Sequence, residues 1–98
     1  MAIYQTMEYA VAPEAVASVT RAIDQYIHDV RASKPSTRIY AACQQLNDPT
    51  RFVHLLIFDD DAARSAHGRS TAAARFERAC RPHRVDGEIV VTVTTSRR

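Results

Sequence analysis

The chain has 98 residues, of which 46% are hydrophobic and 24% charged, and its formal net charge is +2. This length fits one domain, 1–98, whose small core would be helped by a partner subunit. No hydrophobic run approaches the ~20 residues of a membrane-spanning helix, and no basic segment precedes an apolar stretch at the N-terminus. We therefore expect a cytoplasmic protein with no membrane partner.

The cysteines and the basic residues indicate no redox, zinc or nucleic-acid function. Cys43 and Cys80 form no C-x-x-C pair, so we expect both to be small buried hydrophobic side chains. Six arginines lie between positions 64 and 84 against the single acid Glu77. This cluster is typical of a solvated helix face, with an anionic ligand as the alternative, and it lacks the charge excess of nucleic-acid binders.

The first two predicted elements are a strand and a long helix. Alternating hydrophobic residues over 2–11 predict a strand with Tyr9 and Val11 on its apolar face. Pro13 is suited to the first turn of a helix, which should end before Pro35. Within it, hydrophobic residues recur at three- and four-residue spacing, at Val16, Val19, Ile23, Ile27 and Val30.

Two further strands are predicted in the middle of the chain. Residues 37–46 form the second strand, and residues 47–50 form a turn of Asn, Asp, Pro and Thr. The third strand, 51–58, is hydrophobic on both alternating faces, which is typical of a sheet that is covered on both sides.

Two helices and a last strand complete the pattern. Asp59, Asp60 and Asp61 supply capping carboxylates for a short helix over 62–67 that Gly68 can end. Ser70 can cap a second helix, which closes before Pro82. The dipeptide at 86–87 should form a turn before a β-branched strand at 88–95.

The element order β-α-β-β-α-β predicts a ferredoxin-like α+β domain, with helices on one face of a four-stranded antiparallel sheet. The other sheet face is left uncovered, although the third strand is apolar on that side as well. The simplest way to bury this face is to pack it against a second copy of the same sheet, related by two-fold symmetry. The sequence therefore predicts a homodimer.

Four histidines, at positions 28, 54, 67 and 83, show no metal-ligand spacing, and no nucleotide-binding glycine motif occurs. We therefore expect neither a metal nor a nucleotide cofactor. Helical spacing directs His67 inward, and His54 shares a strand face with Phe58. The alternative for each histidine is a hydrogen-bonded core residue. Phe58 and Phe76 are expected in the core or in a cavity wall.

The segment from Arg51 to Phe76, RFVHLLIFDDDAARSAHGRSTAAARF, combines four features in order. An apolar strand ends in an aromatic residue; an acidic turn, an alanine-rich helix ending in histidine and a Ser/Thr-capped helix carrying Phe follow. In order and spacing, this segment resembles the motif of the antibiotic biosynthesis monooxygenase superfamily. The resemblance places the helix histidine of that family at His67 and its strand-end aromatic residue at Phe58. It implies a dimeric α+β barrel.

The resemblance also implies a cofactor-free monooxygenase that oxidises an electron-rich quinol, phenol or anthrone with dioxygen. Once deprotonated, such a substrate can itself reduce dioxygen, so the protein need supply only a dry cavity, orientation and a base. Histidine has the appropriate basicity. Under this hypothesis His67 is the catalytic base, and His54, Phe58 and Phe76 bind the small aromatic molecule.

The sequence also departs from the family pattern. Phe58 stands where Trp is usual, and Ala72 stands where many quinol-oxidising members have a second His. The haem-degrading branch has Trp at the position of His67 and an iron-ligating His at that of Glu77, so it does not fit. A non-catalytic dimer that binds a small ligand or serves as an accessory protein is therefore the alternative.

Overall fold

The computed structural model describes residues 2–33 and 37–95, which form an antiparallel four-stranded sheet, three α-helices and two short 3-10 helices, Pro13–Ala15 and Arg81–His83. In chain order the elements are β1 (Ile3–Val11), α1 (Val16–Ser33), β2 (Thr37–Gln45), β3 (Asp48–Phe58), α2 (Asp61–Gly68), α3 (Thr71–Cys80) and β4 (Arg84–Thr95). The strand order β2-β3-β1-β4 places β1 and β3 at the centre. The predicted ferredoxin-like fold is confirmed. Within the described ranges, no helix is both long enough and apolar enough to cross a membrane.

The helix ends follow the predicted capping residues. The Asp60 carboxylate accepts a hydrogen bond of 2.8 Å from the backbone N–H of Ala63, and it thereby caps α2. The Ser70 hydroxyl accepts one of 3.1 Å from the backbone N–H of Ala73 and caps α3. Only two residues separate the helices. This tight connection fixes the last turn of α2, which carries His67, beside the first turn of α3.

One predicted turn is shorter and displaced in the structure, and another is wrong. The turn between β2 and β3 is confined to residues 46–47, because Asp48 already pairs with Gln45 in the sheet. At the second site β4 begins at Arg84, and Gly87 lies inside the strand with a φ angle of +97°. There the pairing of β1 with β4 shifts in register between Glu8 and Ala10. A glycine tolerates this left-handed backbone, so the distortion forms an irregularity within the strand rather than a reversal of the chain.

The two sheet faces differ in their cover. The face toward the helices carries the core, in which Tyr9, Val11 and Phe52 pack with side chains of α1 and α3. The opposite face presents Val53, Leu55 and Ile57 of β3, which are only partly buried. This is the face for which the two-sided hydrophobic pattern of β3 predicts a second cover.

The two cysteines have different environments. Cys80, the last residue of α3, is buried in the core as expected. The expectation for Cys43 is wrong, since this residue is exposed. It pairs with Val53 and therefore lies on the sheet face that the helices do not cover.

Candidate active site

A buried histidine–tyrosine pair joins α2 to α1. His67 lies in the last turn of α2 and is only 4% exposed. Its Nε2 is 2.5 Å from Oη of Tyr26, and its ring centroid is 5.3 Å from that of Phe58. Burial raises the pKa of Tyr26 well above its ordinary value of 10, so its hydroxyl stays protonated. Tyr26 can therefore donate to, or accept from, the imidazole.

This pair borders a cavity of about 310 Å³ between β1 and the two short helices. Its volume is close to the lower bound of small-molecule sites, which are about 300–1,000 Å³. The wall includes Gln5, Met7, Tyr26, His67, Ala73 and Phe76. It is largely apolar, with the Gln5 amide, the Tyr26 hydroxyl and the His67 imidazole as polar groups that could orient a ligand.

The β4 side of the cavity is open. Val91 pairs with Met7 and Val93 pairs with Gln5, so both valines continue the floor of the sheet beside the cavity, although neither lines the cavity itself. They are 49% and 42% exposed, respectively. A flat hydrophobic ligand would cover this floor and would gain from its removal from water.

Glu77 also lines the cavity, but its charge is compensated. Arg84 donates two hydrogen bonds to its carboxylate, at 2.8 and 2.9 Å, and Arg81 donates a third. The Arg84 guanidinium holds the pKa of Glu77 below its ordinary value. The side chain of Arg84 is only 9% exposed, so the prediction of a solvated arginine face is wrong at this position.

A second buried histidine lies deeper in the core. His54 is fully buried; its Nε2 is 2.7 Å from Oη of Tyr9, and its Nδ1 is 2.7 Å from Oη of Tyr40. Burial lowers the pKa of His54 to about 4, so its ring is neutral at pH 7. A neutral imidazole has one N–H donor and one acceptor, so one tyrosine accepts and the other donates. Both ring nitrogens of His54 are thus engaged within the core.

The four predicted site residues lie in one aromatic cluster but not in one wall. Phe76 stacks on Tyr26 at 4.8 Å, and its ring lies 5.3 Å from His54, so it links the two histidines. His67 and Phe76 line the cavity, whereas His54 and Phe58 pack behind it in the core. Within residues 2–33 and 37–95, no group of three or more His, Cys, Asp or Glu could hold a metal ion.

Residues 2–79 match the family of antibiotic biosynthesis monooxygenases. The chain belongs to this family. No curated protein matches the sequence significantly.

Solved structures share the fold over nearly the whole domain. A crystal structure of an antibiotic biosynthesis monooxygenase has a TM-score of 0.90 at 19% identity, covering 98% of this chain and 99% of its own. A conserved protein from Methanosarcina mazei Go1 has a TM-score of 0.89 at 18% identity, covering 99% and 94%. Rv0793 from Mycobacterium tuberculosis has a TM-score of 0.88 at 14% identity, covering 100% and 97%. At these identities the similarity shows the fold.

In this family member, sequence reasoning missed the tyrosines that bond to the histidines. Tyr26 falls between Ile23 and Val30 on the hydrophobic stripe of α1, and Tyr9 lies on the apolar face of β1. A tyrosine hydroxyl that is buried usually finds a hydrogen-bond partner. That requirement is the signal that could have paired these tyrosines with the inward-facing histidines.

Proposed function

We propose that the chain is a cofactor-independent monooxygenase that oxidises an electron-rich aromatic of the quinol, phenol or anthrone type with dioxygen. The observation that carries this proposal is the His67–Tyr26 pair in the wall of a largely apolar cavity. The pair offers a buried imidazole beside space for an aromatic ring. Membership of the monooxygenase family supports the same reaction class.

The first step is removal of a substrate proton by His67. In the tautomer whose Nε2–H donates to Tyr26, the basic lone pair is on Nδ1, which has almost no solvent-accessible area, so a substrate proton reaches it only when the side chains around the His67 ring shift to admit the substrate. Protonation then gives an imidazolium that keeps its hydrogen bond to the Tyr26 oxygen. Because burial keeps the Tyr26 hydroxyl protonated, the tyrosine orients the ring and does not compete as a base.

The deprotonated substrate is the reductant in the second step. It transfers one electron to dioxygen, and the resulting substrate radical and superoxide combine to form a C–O bond. The peroxide adduct takes up the proton and then loses water, so one oxygen atom enters the product as a carbonyl and the other leaves in water. Once the substrate covers the open β4 side of the cavity, the apolar wall contributed by Met7, Ala73 and Phe76 keeps solvent water away from the reactive anion.

The three other predicted site residues lie at different distances from the substrate. Phe76 contacts the substrate through the cavity wall, and its stacking on Tyr26 fixes the plane of that ring. Phe58 packs on the His67 ring, and His54 lies against Phe76 from the core side. Through these contacts, His54 and Phe58 shape the binding site from behind.

The active species in this proposal is a homodimer formed through the uncovered sheet face. Leu55 lies at the centre of that face, with Val53 and Ile57 on either side along β3. We expect an interface of about 2,000 Å² or more, which is typical of obligate dimers. The protein should have a dimer mass in light scattering at micromolar concentration, and Leu55→Glu should shift it to the monomer. A monomeric wild type would contradict this part of the proposal.

A non-catalytic ligand-binding or accessory role on the same fold is the second candidate. Ala72 favours it, since this small buried residue stands where many quinol-oxidising members have a second histidine. With that residue absent, the chain could retain the aromatic cavity without an efficient route for the proton.

Oxygen consumption with a panel of anthrones and quinols in chelator-treated buffer separates the two functions. A monooxygenase should accelerate oxygen uptake above the autoxidation of at least one compound, and dialysis against a chelator should leave the rate unchanged. Saturable binding of these compounds without accelerated uptake would favour the binder.

A further inference from the structure

Gln5 breaks the hydrophobic pattern of β1 inside the cavity. On the face of β1 toward the helices, its neighbours in the row are Ile3 and Met7, and the row continues with Tyr9. Ile3 and Tyr9 are buried, whereas Gln5 is half-buried and lines the same cavity as His67. Its amide is not among the buried polar atoms that lack a partner, so it remains accessible to a molecule in the cavity.

The strands beside Gln5 supply no polar partner for its amide. Gln5 lies between Leu56 on β3 and Val93 on β4, whose side chains are apolar. Within residues 2–33 and 37–95, no hydrogen bond to the side-chain amide of Gln5 is found. Its donor and acceptor groups are therefore available to a molecule in the cavity.

Gln5 and His67 belong to opposite layers of the cavity. Gln5 is on the floor, which is formed by the sheet, whereas His67 comes from the helix layer above it. An aromatic ring placed between the two layers can therefore present one group to the imidazole and another to the amide.

We infer that Gln5 is a specificity-determining residue that hydrogen-bonds to an oxygen of the aromatic substrate that is remote from the group that His67 deprotonates. This inference rests on the proposed function for the location of the site. The substrate class is an aromatic hydroxy-ketone, anthrone or quinol, and not a phenol with a single oxygen. A glutamine amide can donate to a carbonyl and can also accept from a hydroxyl, so both oxygen types fit.

The same hydrogen bond assists the chemistry. In a hydroxy-ketone or an anthrone, though not in a quinol, the negative charge that remains when His67 removes a proton spreads through the conjugated ring onto the carbonyl oxygen. An amide N–H donated to that oxygen stabilises the anion more than the neutral substrate, as donors in an oxyanion hole do. Gln5 therefore discriminates between substrates both in binding and in turnover.

Two stable probes of matched shape test the inference without turnover. The first probe, 6-acetyl-2-naphthol, carries a carbonyl oxygen where 6-isopropyl-2-naphthol carries a methyl group. Dissociation constants for both are measured by titration calorimetry with the wild type, Gln5→Met and Gln45→Met. Methionine preserves the length of the side chain and removes its hydrogen bonds. Gln45 is an exposed glutamine of β2, so its substitution is the matched control.

The ratio of the two dissociation constants should show a preference for the acetyl probe in the wild type and in Gln45→Met. In Gln5→Met this preference should fall by about three- to tenfold, which is the discrimination that one neutral hydrogen bond supplies. An unchanged ratio in Gln5→Met would overturn the inference, and oxygen uptake by the same preparation would show that the proposed function still stands. Absence of binding by both probes would contradict the cavity as an aromatic site, and the inference with it. If Gln5→Met loses the preference but no preparation consumes oxygen, the role of Gln5 in ligand recognition is supported and the monooxygenase function is rejected.

Discussion

Both buried histidines of this protein lie within hydrogen-bond distance of tyrosine hydroxyls, but their surroundings differ. His54 is fully enclosed, and each of its ring nitrogens is 2.7 Å from a tyrosine hydroxyl. His67 has one tyrosine at 2.5 Å and borders a cavity of about 310 Å³. Burial therefore does not distinguish a structural histidine from a catalytic one, whereas adjacent space for a ligand does. We propose that His54 stabilises the fold and that His67 acts in the chemistry.

The largest expected effect is on turnover when His67 is removed. His67→Ala should lower the rate of oxygen uptake by about 10²–10⁴, which is the usual contribution of a positioned base. Its stability should fall by only about 1–3 kcal/mol, since one hydrogen bond to Tyr26 is lost. Urea unfolding and oxygen consumption are measured on the same preparation.

The control for this variant is His28→Ala, because His28 is an exposed histidine of α1. It should change neither quantity measurably. Marked destabilisation of His67→Ala with full specific activity would show that His67 has a structural role. The two histidines would then not differ in function.

Substitution of His54 should have the opposite effects, a large loss of stability and a small loss of turnover. His54→Ala leaves a void in the core and two tyrosine hydroxyls without their partner, so we expect a loss of about 3–5 kcal/mol in the free energy of unfolding. The fraction that remains folded should keep most of its oxygen uptake. A stable His54→Ala variant with little activity would show that His54 acts in the chemistry.

The pH dependence of stability tests the same assignment without creating a void. The pKa of His54 is about 4 in the folded protein, against an ordinary value of 6.5, so the unfolded chain takes up this proton at higher pH. The stabilising contribution is complete above pH 6.5 and is lost as the pH falls toward 4, amounting to about 3 kcal/mol. Relative to His54→Gln, which does not titrate, the wild type should lose this amount in urea unfolding between pH 7 and 4. Parallel curves would contradict the neutral, buried imidazole.

The smallest expected effects separate the two tyrosine partners. Tyr26→Phe removes the hydroxyl that orients His67 but retains the stacking on Phe76, so turnover should fall by up to about tenfold. Tyr9→Phe removes a partner of His54, and it should lower the free energy of unfolding by about 1–2 kcal/mol with near-normal turnover. Equal losses of turnover in both variants would indicate that the two centres act as one network.

The sequence predicts the fold well because its signals are local. Capping by Asp60 and Ser70, the stripe of α1 and the inward direction of His67 all depend on residues within one or two helical turns. The errors at Asp48 and Gly87 arise because a turn-forming residue also fits the start of a strand or an irregularity within one. Pairing with a distant strand decides whether such a residue forms a turn, begins a strand or lies in an irregularity within one.

The site depends on contacts that are remote in sequence. Tyr26 and His67 are 41 positions apart, and Tyr9 and His54 are 45 apart. Their meeting requires the helix packing and the register of β1 with β3, in which a slip of one residue would turn His54 to the other face. The cavity that distinguishes His67 from His54 is likewise a product of tertiary packing, so the sequence could propose both histidines but not their different environments.

Isotope labelling of the product tests the central claim most directly. An anthrone that the wild type consumes is incubated under heavy-isotope dioxygen in normal water, beside His67→Ala and a protein-free control. The account predicts that the wild type forms the quinone faster than either control and that the new carbonyl carries one heavy oxygen atom from dioxygen. A product without heavy oxygen, or quinone formation at the same rate in all three samples, would contradict it.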